Sequence, residues 1–253
     1  MLEAVTLSAL TIRDDAAFAA MEVYGRLKAR LTRDGYAFRV PARAHALAWE
    51  ETLLLNVVFW NGATGEDVLE DRAIDADVVA HIAWHHVVRQ ALGEAADTAD
   101  GMFLGEAVAS AFDLYAAGRL LALGRDVGFL ETQLPAMAEA LENAGWDATA
   151  TDALFARVAA DPEGSFESLR QLLFDVGTAL VRAPDAGAAA AVLRAHASHP
   201  LAGLLHHYDV ATWLLHARAR GADAAVNPAV AAVDAWLRAS PVALDAMAEA
   251  WLG

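Results

Sequence analysis

The chain has 253 residues, of which 57% are hydrophobic, and it contains no cysteine. A formal net charge of −16 argues against general electrostatic binding of nucleic acid, because an acidic surface repels phosphates. Without cysteine there can be no disulfide, thiolate metal site or cysteine nucleophile.

Alanine and leucine dominate the sequence, which predicts an all-α, multi-helix bundle, because alanine favours helices and disfavours strands. We expect at least two-thirds helix and no sheet of three or more strands. Asp14 and Asp15 are expected to cap a first helix that ends at Asp34, and Pro41 to open a second helix that runs to about residue 60. The segment AFRVP, near residue 37, is compatible with a short extended piece.

The rest of the chain alternates apolar helical patterns with glycine, proline and aspartate. Further helices are expected over residues 75–92, 100–123, 127–144, 152–160, 166–182, 186–198, 200–220, 229–239 and 242–251. Their expected starts include Ser165, Asp185, Pro200, Pro228 and Pro241. We predict a single helical domain over 1–253, with 145–152 as the best internal boundary.

No membrane span is expected from the sequence. The most apolar long segment, 102–123, contains Glu106, Asp113 and Arg119, and charges at membrane depth are costly. The first residues lack the basic region and long apolar core of a signal peptide. A soluble, cytoplasmic protein is therefore expected.

The segment IDADVVAHIAWHHVVR places Asp77, His81 and His85 at four-residue steps on an apolar helix. Residues four apart share one helical face, so the three side chains form a polar ridge. Two imidazoles one turn apart can hold one cation, and an aspartate can join them or orient a ring. Alternatively, these are core or interface histidines satisfied by Asp77 and backbone carbonyls.

A second polar stripe lies on the next helix, where Glu106, Ser110 and Asp113 share one side of an otherwise apolar segment. A buried carboxylate needs a cation, a donor or a proton. An internal salt bridge is the alternative to a metal. In the predicted second helix, Glu51 is the glutamate expected to face the core. Ser110 is a candidate nucleophile, although serine in such a helix is usually a packing residue.

The third group is His206, Asp209 and His216, which lie close together on a helical wheel if 200–220 is one helix. The set of candidate metal ligands is therefore Glu51, Asp77, His81, His85, Glu106, Asp113, His206 and Asp209. We expect His81, Glu106 and a residue of 206–216 to meet in one cavity.

This pattern resembles, in style, the carboxylate–histidine metal sites of ferritin-like and haem-oxygenase-like helical bundles, which draw Glu, Asp and His from facing helices. No Glu-x-x-His pair occurs here, so no ligand assignment is carried over from those families. A mixed nitrogen and oxygen set suits iron, manganese or zinc.

The sequence thus predicts a metal-dependent enzyme, an oxidase, oxygenase or hydrolase acting on a small apolar substrate. Two alternatives stay open. The first is a metal-free helical binding or interaction protein with buried polar networks, whose acidic exterior and alanine-rich helices suit a homodimer or a protein partner. The second is a metal-free enzyme in which His81 or His85 is a general base oriented by Asp77.

Overall fold

The computed structural model describes residues 2–42, 49, 67–221 and 225–253. It is 73% helical, which confirms the mostly helical class, and its described part contains eleven α-helices. The chain forms two compact units, Met1–His86 and Val87–Gly253, and the division falls within one helix. The single-domain organisation stays a prediction, and the expected boundary at 145–152 lies inside the second unit.

The first unit contains the strands β1 (Leu2–Thr6), β2 (Thr11–Arg13), β3 (Ala37–Pro41), β4 (Asp67–Val68) and β5 (Ala73–Asp75). One sheet has the order β1-β3-β4, antiparallel between the first pair and parallel between the second, and a separate sheet pairs β2 with β5 in parallel. The expectation of no three-stranded sheet is therefore wrong. Strand β3 forms because Phe38 and Val40 alternate with less buried neighbours and bury one face.

Two sequence predictions for helix starts are corrected in this unit. Pro41 ends β3 and does not open a helix, and the rest of that predicted helix, including Glu51, lies outside the described residues. Asp14 does not cap through its side chain, because its own backbone is left-handed with φ 58°. The first predicted helix is also interrupted and forms α1 (Asp15–Phe18) and α2 (Glu22–Arg33).

Helix α3 (Ala76–Leu92) follows β5 directly, and Gly93 ends it in the left-handed conformation with φ 55°. The second unit then contains α4 (Ala99–Ala122), α5 (Gly128–Asn143), α6 (Ala148–Ala160), α7 (Pro162–Arg182), α8 (Ala186–His196), α9 (Val210–Arg220), α10 (Pro228–Ala239) and α11 (Ala243–Trp251). Short 3₁₀ segments lie at Leu7–Ala9, Gly93–Asp97 and Ala202–His206.

Helix α4 is the most deeply buried element of the second unit, and it packs chiefly against α7. The two helices approach closely at Gly177, because a Cβ there would lie 2.6 Å from Cδ1 of Phe103. A small residue at this crossing therefore fixes the spacing of the two longest helices of the unit.

Aspartate and asparagine caps start most helices of the second unit, as their preference for this position predicts. Asp185 accepts a hydrogen bond from Ala188 N, as expected, whereas α7 is capped by Asp161 and not by Ser165. The predicted helix over 200–220 is wrong as one element. A 3₁₀ segment and then a new helix form instead, because Asp209 caps α9 by accepting from Thr212 N.

A buried arginine links α7 to α10. Arg170 is 0% exposed, and its guanidinium donates to Glu167 through Nε and Nη2 at 2.7 and 2.6 Å and to Asp234 through Nη1 at 2.8 Å. Arg238 donates to the same Asp234 at 2.7 Å and to Asp175 at 2.6 Å. These charge-assisted bonds satisfy the buried cation, which would otherwise be costly.

Candidate metal centre

Helix α3 presents two imidazoles on one face, as the four-residue spacing of His81 and His85 predicts. Val79, Ala83 and Trp84 on the same helix are fully buried, whereas both histidines are only partly buried. The apolar side of the helix therefore anchors it and leaves the imidazoles accessible to a ligand.

The two rings are already close enough to chelate one ion. Their Nε2 atoms lie 3.2 Å apart, and the ring centroids are separated by 4.9 Å. Two nitrogens at the usual Zn–N distance in tetrahedral geometry lie about 3.4 Å apart. The same separation also fits a hydrogen bond in which one neutral ring donates to the other, so the distance has two chemical explanations.

Glu106, the third residue of the predicted ligand set considered with this pair, lies on α4 of the second unit and is partly buried. Its role as a ligand stays a prediction from the sequence. The two imidazoles by themselves leave coordination positions for a carboxylate, water or a substrate, as catalytic sites require.

A further carboxylate, which sequence reasoning missed, is Asp67 on β4 of the same unit. Tyr36 Oη donates to Oδ2 of Asp67 at 2.7 Å. Burial raises the pKa of Asp67, whereas the Tyr36 hydrogen bond and the positive fields of His85 and His81 act in the opposite direction. Burial, followed by the charge of Asp67, raises the pKa of Tyr36 well above its usual range, so the phenol stays protonated and donates.

Two further predicted ligands, Asp77 and Glu51, gain no support from the described residues. Asp77 lies one turn before His81 on α3 and belongs to no described group of three or more close ligand atoms. Burial, and then the hydrogen bond to Asp15, raise the pKa of Tyr24, and the charge of Asp77 adds to this rise. Glu51 lies outside the described residues.

The second-half candidates lie in other surroundings. His206 is exposed on a 3₁₀ segment, and Asp209 is occupied as the N-cap of α9. Within the described residues, no residue of 206–216 belongs to a group of three or more close ligand atoms, so the cavity predicted to be shared with His81 and Glu106 stays a prediction. The wheel argument for His206 and Asp209 depended on an uninterrupted helix, which the chain does not form.

Asp113 and Ser110 on α4 lie close to a histidine that the sequence reasoning passed over. Ser110 is buried, and its backbone carbonyl accepts a hydrogen bond of 3.3 Å from Tyr208 Oη. Burial lowers the pKa of His207, whereas the charge of Asp113 acts to raise it. Burial and Asp113 raise the pKa of Tyr208 well above its usual range. The neighbour of Asp113 is therefore His207, one residue after the predicted ligand.

Within the described residues, no helix is both long and apolar enough to cross a membrane. Comparison of the chain with protein-family models, curated proteins and solved structures found no match.

Proposed function

We propose that the protein is a divalent-metal-dependent enzyme whose metal ligands are His81, His85 and Glu106. The observation that carries the proposal is the histidine pair on α3, whose Nε2 atoms lie 3.2 Å apart, and Glu106 enters as the ligand that the sequence predicts. The helical period places both rings on one face of α3, one turn apart.

The residues define the chemistry that such a centre can perform. Both imidazoles must be neutral to ligate, and Glu106 brings one negative charge that offsets part of a dication. Zinc and iron(II) both accept two imidazoles and one carboxylate with positions left open, and such an ion would polarise water or dioxygen. Partial burial of His81 and His85 gives a small substrate access to those positions.

The proposal includes an oxidase, oxygenase or hydrolase reaction on a small apolar substrate. We also propose that the helices form a bundle similar in style to ferritin-like or haem-oxygenase-like proteins. The same proposal gives the protein a cytoplasmic location and the state of a homodimer. The acidic sequence supports the expectation that nucleic acid is not the substrate, because a net charge of −16 opposes phosphate binding.

Metal content tests the proposal directly. Protein purified without chelator should carry close to one equivalent of zinc, iron or manganese by elemental analysis. A metal present at 100 times its Kd should stabilise the native state by about 2.7 kcal/mol, which a thermal scan resolves. Binding should weaken as pH falls through the histidine range, because protonated imidazole cannot ligate.

Substitutions assign the ligands. His81→Ala and Glu106→Gln should each lower metal occupancy sharply, whereas the exposed His206→Ala should leave it unchanged. A protein that carries no metal, and whose melting temperature is unmoved by added zinc, manganese or anaerobic iron(II), contradicts the proposal.

The 3.2 Å contact between the Nε2 atoms supports a second candidate, a metal-free general acid–base pair. In that case one neutral imidazole donates a hydrogen bond from its Nε2 to the other, and the accepting ring can serve as a general base. Nitrogen-15 NMR of the metal-free protein separates the candidates. Two unprotonated Nε2 atoms facing each other indicate a vacant chelate, and a shared proton indicates the acid–base pair.

A further inference from the structure

The connection that follows α8 contains a histidine whose ring makes a hydrogen bond on each side. His199 Nδ1 accepts from the backbone N–H of Leu201 at 3.1 Å. At the opposite side of the ring, Nε2 lies 3.4 Å from Oγ of Ser168 on α7. A ring nitrogen that accepts holds a lone pair and no hydrogen, so the neutral ring carries its proton at Nε2 and donates to Ser168. The contact with Leu201 therefore requires a neutral His199.

This contact helps to attach the end of α8 to the rest of the second unit. The Leu201 side chain is 2% exposed, and a 3₁₀ segment begins directly after it. Arg157 on α6 donates from Nη2 to the carbonyl oxygen of Pro200 at 3.2 Å. Helix α8 itself contains no fully buried residue over 186–196. The contacts at residues 199–201 therefore provide much of the attachment of the helix end.

Charged groups on the three neighbouring helices act on the His199 ring. Burial has the largest effect on its pKa and lowers it from the ordinary value of 6.5. His196 at the end of α8 and Arg157 on α6 lower the pKa further, whereas Asp175 on α7 acts to raise it. The ring is therefore neutral in neutral solution and gains its second proton only in acid.

We propose that His199 is a pH-sensitive switch that holds the end of α8 while its ring is neutral and releases residues 199–201 when the ring is protonated. Both nitrogens of an imidazolium carry a hydrogen, so Nδ1–H would face the Leu201 N–H across 3.1 Å. Two donors repel, and a buried amide without an acceptor is costly, so the ring and Leu201 separate. The contact with Ser168 tolerates both forms, because Nε2 donates in each. The switch does not depend on the proposed metal site.

His196, three residues earlier, is a matched control for this switch. Its Nδ1 lies 3.0 Å from the carbonyl oxygen of Val192, and a carbonyl only accepts, so this Nδ1 carries the hydrogen. Protonation adds a hydrogen at Nε2 and leaves that bond in place. His196→Asn should therefore keep the acid response, with a midpoint at higher pH, because a neighbouring positive charge is removed.

Hydrogen exchange of the full chain, followed by NMR from about pH 7.5 to about pH 5, measures the release. Protection factors correct for the intrinsic pH dependence of exchange. The protection of the Leu201 amide should fall by about tenfold or more in the wild type, with the same midpoint as the His199 ring. In His199→Asn, which keeps an acceptor but does not titrate, it should change by less than about twofold. The fall should persist in low urea without growing, because a local opening exposes little surface.

Four results would overturn the switch. Constant protection of Leu201 across the pH range would show that the protonated ring stays in place. A fall that survives in His199→Asn, or that disappears in His196→Asn, would assign the acid response to another group. Urea dependence as strong as that of the buried Leu169 on α7 would show global unfolding. If His199→Asn does not fold by circular dichroism, the wild type decides, and different midpoints for the Leu201 amide and the His199 ring refute the inference.

Discussion

The buried Arg170 should be worth several kcal/mol to the folding of the second unit. The substitution Arg170→Met keeps a long apolar stem in the same space but removes the donors to Glu167 and Asp234. Removing one partner of a buried ion pair usually costs about 3–5 kcal/mol, because the remaining charge is left buried without compensation.

From the structure, we expect the stability loss of Arg170→Met to lie at the lower end of that range. The two carboxylate side chains are 19% and 13% exposed, so solvent screens part of the charge left behind. Each also keeps another donor, Gln171 Nε2 for Glu167 and Arg238 Nε for Asp234, both at 2.7 Å. We therefore expect a loss of about 3 kcal/mol, which corresponds to about 6–12 °C in melting temperature for a chain of this size.

Urea unfolding followed by tryptophan fluorescence measures this loss, and thermal scans confirm it. Arg89→Met is the control, because the Arg89–Asp97 pair of the same unit is 55% and 60% exposed and should contribute less than about 1 kcal/mol. Adding Glu167→Gln to Arg170→Met should recover part of the stability, since it removes one unpaired charge. Equal stability of Arg170→Met and Arg89→Met would refute the reasoning.

Two further predictions concern the second unit. Burial, followed by His196 and Arg157, lowers the pKa of His199, and its Nδ1 accepts from Leu201 N at 3.1 Å. The unfolded chain therefore binds a proton at His199 more readily than the folded chain does. The stabilisation that neutral His199 gives the folded chain is complete above pH 6.5, the ordinary pKa of histidine, and is lost as pH falls below that value. His199→Asn, which keeps an acceptor, should lose less stability than the wild type between pH 7.5 and about 5.5 in urea titrations; an equal loss would contradict this. Gly177→Ala should lower the free energy of unfolding by about 1–3 kcal/mol, because the new Cβ would lie 2.6 Å from the Phe103 ring. The control is Gly25→Ala, which should not destabilise the protein, because nothing lies within 4 Å of the new Cβ. Equal melting temperatures for the two variants would show that the helices can separate without cost.

Local spacing was enough to predict the histidine pair. The relation between His81 and His85 depends only on the helical period, and α3 was expected over nearly the residues that form it. The same reasoning failed for His206 and Asp209, because one capping hydrogen bond to Thr212 N divides the segment and changes every angle on the wheel. An aspartate three residues after a histidine does not by itself distinguish a ligand from a cap.

Pairing between distant segments decided the rest of the site. Tyr36 and Asp67 are 31 residues apart, and the parallel register of β3 and β4 brings them together. Strand β4 has only two residues, which is too short for an alternating pattern to appear in the sequence. The contact between Tyr36 and Asp67 could therefore not be predicted from periodicity.

The sequence by itself determined the helical class and most helix positions in the second unit, because propensity, apolar period and caps such as Asp185 act over a few residues. Tertiary structure decided which polar groups are buried and what satisfies them. Arg170 is an ordinary helical arginine in the sequence, and only the packing of α10 on the same core supplies Asp234 and makes full burial tolerable. Burial depends on how the helices and strands pack together, so a local sequence pattern cannot show which charged residues will be buried.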